Sequence, residues 1–450
     1  MSRAARKLQA MKNALRLALA TSAAAMIPIL TGAMGSVDPS TAKELDTFME
    51  VFDRVRADYV DKVDDKVLIR GAVDGMLAAL DPHSGYEAGT DYANLRAQTD
   101  GEYGGLGLTV TMEDGAVKVI TPAEDTPGAR AGIKSGDYIT HLNGQFIVGG
   151  TLDEAVDQMR GKPGTTIMLT LVRPGRDKPF DVTLTREIIK LRPVKWEVKG
   201  DVGYININAF SRDTGGAVRA ALMGVDKALG HQPAGYVVDL RENPGGLLDE
   251  AVAVSDAFLD KGNIVSQRGR DPRQNESWDA APGDFAHGLP VVVLVDAGSA
   301  SAAEIVAGAL RDNRRAIVMG ERSFGKGSVQ TVAPLSENTA LRLTTARYYT
   351  PSGKSIQEGG IEPDIIVPQL TDPDYKDRPR IREADLRKHL LNQAKVDNSV
   401  LESDAKADPR FAATPEQLKA KGIDDFQLDY ALKTVARLAT TTPTRVAARK

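Results

Sequence analysis

The alternation of strand-forming and helix-forming runs between Gly203 and Tyr349 constrains this chain more than any other feature. Strands are expected at 203–210, 236–240, 291–295, 316–319, 328–333 and 339–349, and helices at 216–229, 247–259 and 302–310. Strands alternating with helices predict a layered α/β domain with a largely parallel sheet. Inside it, the apolar run Val291–Val295 ends at Asp296 and is followed by Gly298, Ser299, Ala300 and Ser301, then by helix-forming Ala302–Leu310. A serine therefore sits where a strand turns into a helix, a turn that holds a hydroxyl clear of the sheet. The strand at 316–319 leads on to Gly320-Glu321-Arg322-Ser323-Phe324-Gly325-Lys326-Gly327 and then to Ser328-Val329-Gln330.

At 450 residues the chain exceeds one ordinary core, and two to four domains are expected. Its 42% hydrophobic and 26% charged residues are those of a soluble globular protein, and a net charge of −4 argues against nucleic acid and polybasic membrane binding. The absence of cysteine excludes disulfides, thiolate metal sites, a cysteine nucleophile and an acylated lipoprotein cysteine. Arg3, Arg6, Lys7, Lys12 and Arg16 precede a charge-free apolar run, Leu17–Ala33. Residues 1–35 thus read as a secretory signal peptide or an N-terminal anchor, which places the chain in the periplasm or cell envelope. The alternative is an amphipathic helix of the folded domain.

Residues 41–100 form an expected N-terminal helical region. Leu45, Phe48, Met49, Phe52, Val55 and Tyr59 recur at helical spacing, and a second helix runs from Val67 to Leu80, before Asp81-Pro82. These are core helices or a dimerising pair; the pattern fits both. From Gly101 the texture changes to short β-type runs and glycine turns, interrupted by one helix that Thr151 and Glu154 open as a capping box. In order and size, residues 101–187 resemble a PDZ domain. Gly105-Leu106-Gly107-Leu108 stands where that family has its carboxylate-binding loop, whose successive N–H groups form a nest for an anion while a peptide adds as a strand. Alone this loop fits a plain glycine-rich strand entry, but Ala129–Ile139 matches the PDZ pattern as well. Residues 187–194 read as a linker into the α/β core, 188–368. The charged tail, 369–450, reads as a peripheral cover with helices at 381–394 and 424–439.

A serine at such an elbow suggests acyl transfer, which needs a base. Of the five histidines, His83, His141, His231, His287 and His389, none stands beside an acidic residue in a recognisable motif, and no clustered ligands favour a metal. Lys326 is the better base: flanked by Gly325 and Gly327, it can lie close to other backbone, and desolvation lowers an ammonium pKa. Taken alone, the segment fits a solvated loop lysine better. It is also a near miss to a phosphate-binding loop, with Gly327 where Ser or Thr would hold magnesium and a strand where a helix should follow. The turn Asn243-Pro244-Gly245-Gly246 can aim a backbone N–H into a cleft, beside that of Ala302, to make an oxyanion hole; a plain Pro-Gly turn fits equally.

In combination these pieces resemble the C-terminal processing peptidases, the tail-specific serine proteases of the S41 family. The resemblance runs from Phe48 to about Val367. It includes Leu80-Asp81-Pro82-His83-Ser84, Gly101–Gly107, Leu240-Arg241 with Asn243–Gly246, Gly298–Ala302, Gly325-Lys326-Gly327 with Val329-Gln330, Tyr348–Gly353, and Gly360-Ile361 with Pro363-Asp364. It implies Ser301 as nucleophile, Lys326 as general base, Gln330 orienting that lysine, and Ala302 with Gly245, or else Gly246, as oxyanion donors. It further implies a ClpP/crotonase-like catalytic core with an inserted PDZ domain, C-terminal tails of protein substrates as partners, and no cofactor or metal. Ala303 stands where relatives often carry another serine, a position without a catalytic role in the family. A homo-oligomer through the N- and C-terminal helices, an adaptor or activator protein, and a catalytically idle PDZ scaffold remain open alternatives.

Overall fold

A computed structural model describes residues 38–113, 115–375, 380–393 and 411–441. The expected signal or anchor at 1–35 lies outside them. The chain divides into one compact unit ending at Gly75 and a second beginning at Met76. In the first, α1 (Pro39–Asp58) opens on a proline, whose missing N–H leaves no helical bond unmade there. Its stripe of Leu45, Phe48 and Met49 stays exposed. Helix α2 (Asp65–Ala78) follows.

The second unit begins with β1 (Gly85–Ala88), α3 (Thr90–Asp100) and β2 (Glu102–Gly105). Next come β3 (Leu108–Glu113), β4 (Ala116–Pro122), the single turn α4 (Pro127–Arg130), β5 (Tyr138–Leu142), β6 (Gln145–Phe146), α5 (Leu152–Met159), β7 (Thr166–Val172) and β8 (Phe180–Thr185). These strands form a sheet in the order β3-β4-β5-β7-β8, with β3 on a free edge. Thr151 and Glu154 make the expected capping box, satisfying two amides at the start of α5. The expected linker is in part a strand: β9 (Glu187–Lys190) pairs antiparallel with β2, because its alternating Glu-Ile-Ile-Lys finds a partner far away in sequence.

The core follows with β10 (Val194–Lys199), β11 (Val202–Ile207), α6 (Thr214–Leu229), β12 (Gly235–Asp239), α7 (Leu248–Asp256), β13 (Asn263–Gly269), β14 (Glu276–Asp279), β15 (Val291–Val295), α8 (Ala302–Asp312) and β16 (Ile317–Gly320). After these come β17 (Ser328–Ser336), β18 (Thr339–Tyr349), β19 (Ile365–Ile366), α9 (Pro415–Lys419) and α10 (Phe426–Thr441). The main sheet runs β10-β11-β12-β15-β16-β19, parallel except for the antiparallel edge strand β10. Every residue of β15 is buried because both faces are covered. Val291, Val293 and Val295 join the layer that holds α6, α7 and α8, while Val292 and Leu294 join the opposite layer.

That opposite layer corrects the expectation of a peripheral tail. Helix α10 places Ala431 and Val435 at 0% exposure against the sheet, and each such buried valine contributes about 1.5–3 kcal/mol. Arg241 clamps its start, donating to Asp425 at 2.7 and 3.0 Å and to Asp239 at 2.6 and 2.9 Å. The helix expected at 381–394 is not formed among the described residues; a single 3-10 turn, Glu383–Asp385, stands there. Glu383 and His389 are drawn instead into contacts with distant loops. A second sheet, β1-β18-β13-β14 with β17 also paired to β18, carries the segment after Lys326.

Candidate active site

Ser301 caps α8 with φ 51° and ψ −110°, a left-handed conformation that costs a side-chain-bearing residue on the order of 1–3 kcal/mol. It is held from both sides. Ala300 N–H donates to Asn243 O at 2.9 Å, and Ser301 N–H donates to Glu304 Oε2 at 2.7 Å. Ser299 is fully buried; its hydroxyl donates to Leu240 O at 2.8 Å and accepts from Asp296 N–H at 2.9 Å. Ser301 is half-buried, and among the described residues its hydroxyl donates no hydrogen bond. Of the two serines, Ser301 is the one whose hydroxyl proton is left undonated there.

Glu304 was not singled out from the sequence, although Ser301-Xaa-Xaa-Glu304 has capping-box spacing, which marks a carboxylate that folds back on the helix start. At 0% exposure it accepts from Ser301 N–H at 2.7 Å, Ser323 Oγ at 2.5 Å, Gly325 N–H at 2.7 Å and Lys326 N–H at 2.9 Å. One carboxylate thus ties the backbone of the elbow to that of the lysine loop. Burial pushes its pKa up to about 7 against the pull of those donors.

The glycines beside Lys326 are required by close backbone. A Cβ at Gly325, where φ is 97°, would lie 2.8 Å from Glu358 O, and one at Gly327 would lie 2.3 Å from Gln357 N. Burial holds the Lys326 ammonium below the usual lysine range, Arg342 adds to this, and Glu383, Glu304 and Asp81 oppose it. Asp81 and Glu383, whose charges act on Lys326, are both buried. Asp81 accepts from Ser84 Oγ at 2.9 Å and Thr344 Oγ1 at 3.1 Å. Glu383 accepts from Gln357 Nε2 at 2.9 Å, and Gln357 Oε1 accepts in turn from Gly327 N–H at 3.0 Å. Gln330 Nε2 donates to Ser328 Oγ at 2.9 Å and Thr344 Oγ1 at 3.3 Å.

Histidines and acids do meet in space, across separations no local motif could show. His83 Nε2 lies 2.8 Å from Glu383 Oε2, and His389 Nε2 lies 2.8 Å from Glu358 Oε1. Among the described residues, none of the histidines is hydrogen-bonded to Ser301.

Gly245 packs against the start of α8: a Cβ there would lie 2.9 Å from Ser301 Cβ and 3.0 Å from Ala302 N. Its N–H donates to Asn243 Oδ1 at 2.8 Å. The amides of Ala302 and Gly246 have no acceptor among the described residues. A cavity of about 870 Å³, lined in part by Pro290, Val291, Ala316 and Ile317, opens at the opposite, amino-terminal ends of β15 and β16. Ligands of open α/β sheets bind at the carboxyl ends, where Ser301 stands.

In the PDZ-like part, Leu106 O accepts from Gly128 N–H at 2.9 Å and Gly107 O from Ala123 N–H at 2.8 Å. The amides of Leu106 and Gly107 have no acceptor among the described residues. Gly107, at φ 71°, leads into Leu108 at the start of edge strand β3. Leu108, Val110, Leu152 and Val156 pack on one core between β3 and α5.

Residues 201–367 match Peptidase family S41, residues 104–184 match the PDZ domain, and residues 23–89 match the Activating protease CtpB N-terminal domain. The chain is 48% identical over 398 residues to the carboxy-terminal-processing protease of Bartonella bacilliformis, covering 88% of this chain and 89% of that one. It is 36% identical to a probable CtpA-like serine protease of Staphylococcus epidermidis, over 70% of this chain and 64% of that one. A solved structure of a photosystem II D1 C-terminal processing protease is 30% identical, with a TM-score of 0.42, over 71% of this chain and 92% of that one. An elbow serine and a glycine-flanked lysine on one buried carboxylate, beside a PDZ domain, agree with what the family matches and the Bartonella relative establish: the chain belongs to the S41 peptidases as a carboxy-terminal-processing protease, a serine peptidase hydrolase.

Proposed function

We propose that this protein is an endopeptidase that captures the C-terminal tails of proteins at its PDZ domain and cuts them with Ser301 as nucleophile and Lys326 as base. The observation that carries this reading is the Glu304 carboxylate, which receives the backbone amides of both residues at 2.7 and 2.9 Å. Neutral Lys326 takes the Ser301 Oγ proton as that oxygen bonds to the scissile carbonyl carbon. The carbonyl oxygen, now an oxyanion, is received by Ala302 N–H and an amide of the Gly245–Gly246 turn, of which Gly246's is unengaged. The lysine ammonium then gives its proton to the departing amine, leaving an acyl group on Ser301. Water, deprotonated by Lys326, attacks that ester, releases the carboxyl product and restores the serine. Gln330, whose amide nitrogen is held by Ser328 and Thr344, keeps its oxygen available to orient the ammonium.

The tail adds along the free edge of β3, its carboxylate on the open amides of Leu106 and Gly107. Degradation of a model protein bearing an apolar disordered tail tests the reading. Ser301→Ala and Lys326→Ala should each abolish it, and a fully active Lys326→Ala protein would sink the dyad.

A partner-gated enzyme is the second reading, because the Ser301 hydroxyl and the Lys326 ammonium carry no hydrogen bond to each other here. Export to the cell envelope, through residues 1–35, completes the proposal and is checked by cell fractionation. Assembly into a homo-oligomer is supported only by the exposed stripe of α1, since α10 is buried under the sheet.

A further inference from the structure

Two arginines face each other on the sheet that carries the base loop. β13 and β18 pair antiparallel with Arg268 directly opposite Arg347. Like charges at directly opposed positions destabilise a ladder, so such a pair is expected to be relieved by a carboxylate. Other arginines of this unit have one: Arg241 with Asp239, Arg315 with Asp284, Arg342 with Glu87 and Arg380 with Glu321. Arg268 and Arg347 have none among the described residues, and Arg347 Nε is buried without a hydrogen-bond partner.

Their place gives the missing anion a meaning. Arg347 lies directly opposite Ser328 across β17 and β18, so the two side chains share a face of the sheet. Ser328 Oγ accepts from Gln330 Nε2 on that same face. The next residue, Tyr348, donates its N–H to Gly327 O at 2.7 Å, the glycine that follows Lys326. Arg268 is exposed but not loose, since its guanidinium stacks 4.1 Å from the centre of the Tyr349 ring. Two planar guanidinium groups, one fixed by stacking and one with a buried unpaired nitrogen, form a fork that suits a carboxylate.

We propose that Arg268 and Arg347 form a subsite for a carboxylate of the bound peptide beside the scissile bond, an inference that rests on the proteolytic reading above. The carboxylate is that of an Asp or Glu side chain, or the free α-carboxylate of a short peptide end. Both present the same chemistry, and only the substrate tells them apart.

The test uses fluorogenic peptides of one sequence that carry Glu or Gln next to the cleaved bond, each with a C-terminal acid or amide. The wild-type protein should cut the Glu peptide about tenfold faster in kcat/KM than the Gln peptide. In Arg347→Gln, and in Arg268→Gln where the altered side chain is exposed and the fold is undisturbed, that ratio should fall to about one. If the acid-over-amide preference collapses instead, the α-carboxylate is the occupant. If both preferences survive in both variants, the subsite is overturned. Binding of the same peptides to Ser301→Ala protein separates this inference from the proteolytic one. Preference for Glu in binding, with no cleavage by the wild type, would keep the subsite and overturn the protease. Cleavage with no preference in either measurement would do the reverse.

Discussion

The loops 325–327 and 105–108 share a glycine-Xaa-glycine frame and differ in which of their backbone groups are left open. Around Lys326 every amide has an acceptor: Gly325 and Lys326 donate to Glu304, and Gly327 donates to Gln357. Around Leu106 it is the carbonyls that are engaged, by Gly128 and Ala123, while the amides of Leu106 and Gly107 have no acceptor among the described residues. The first loop is finished by the chain itself and can fix a side chain. The second is finished only by something that brings an acceptor and a strand. Glycine thus serves two purposes here, close approach of foreign backbone in one case and, on the proposed reading, a nest for an anion in the other.

That contrast can be broken most severely at the lysine. Lys326→Ala should lower cleavage by about 10³-fold or more, as expected for removing a general base, while the affinity for a C-terminal peptide, read by fluorescence anisotropy, stays as in the wild type. A parallel loss of peptide affinity would show that the two loops are not separate devices. Next in size is Glu304→Gln. It turns one acceptor into an amide that faces N–H donors, at a cost of about 1.5–3 kcal/mol, so kcat should drop about 10- to 100-fold with a lower melting temperature.

At the open loop, Gly107→Ala puts a Cβ within 2.3 Å of Thr126 at a φ of 71°. KM for tailed substrates should rise about tenfold, and kcat should change by less than about twofold, because binding of tail and reaction at Ser301 use different groups. A kcat effect as large as the KM effect would merge the two sites.

The smallest effect concerns pH. The proposed base, Lys326, can take a proton only when neutral, so kcat should fall as pH drops and the ammonium forms. Burial, and then Arg342, hold its pKa below the ordinary lysine value. Arg342→Gln removes a cation, raises that pKa and should move the acidic limb of the profile to higher pH, leaving less activity near neutrality. An unmoved limb would mean that Arg342 does not act on the lysine.

Much of the core was legible because its strands and helices declare themselves locally. Val291–Val295 is apolar on both faces, and the elbow at Ser301 follows from what flanks it. The PDZ segment was legible through its glycine turns and the Thr151–Glu154 box. What escaped notice depends on partners far away in the chain. Glu187–Lys190 is a strand only because β2 lies beside it, and the described residues of the expected helix at 381–394 give up helix because Glu383 meets His83 and Gln357, and His389 meets Glu358. The same holds for Arg268 and Arg347, unremarkable in sequence until the register of β13 on β18 sets them face to face.

Glu383, whose charge acts on Lys326, and the α10 layer under the sheet both come from stretches of the chain that follow Lys326. A nascent chain that has exposed Ser301, the PDZ loop and even Lys326 still lacks both. Synthesis from the N-terminus therefore sets a temporal order: the surroundings of Lys326 and the second face of the sheet are complete only once residues 383 to 441 have emerged.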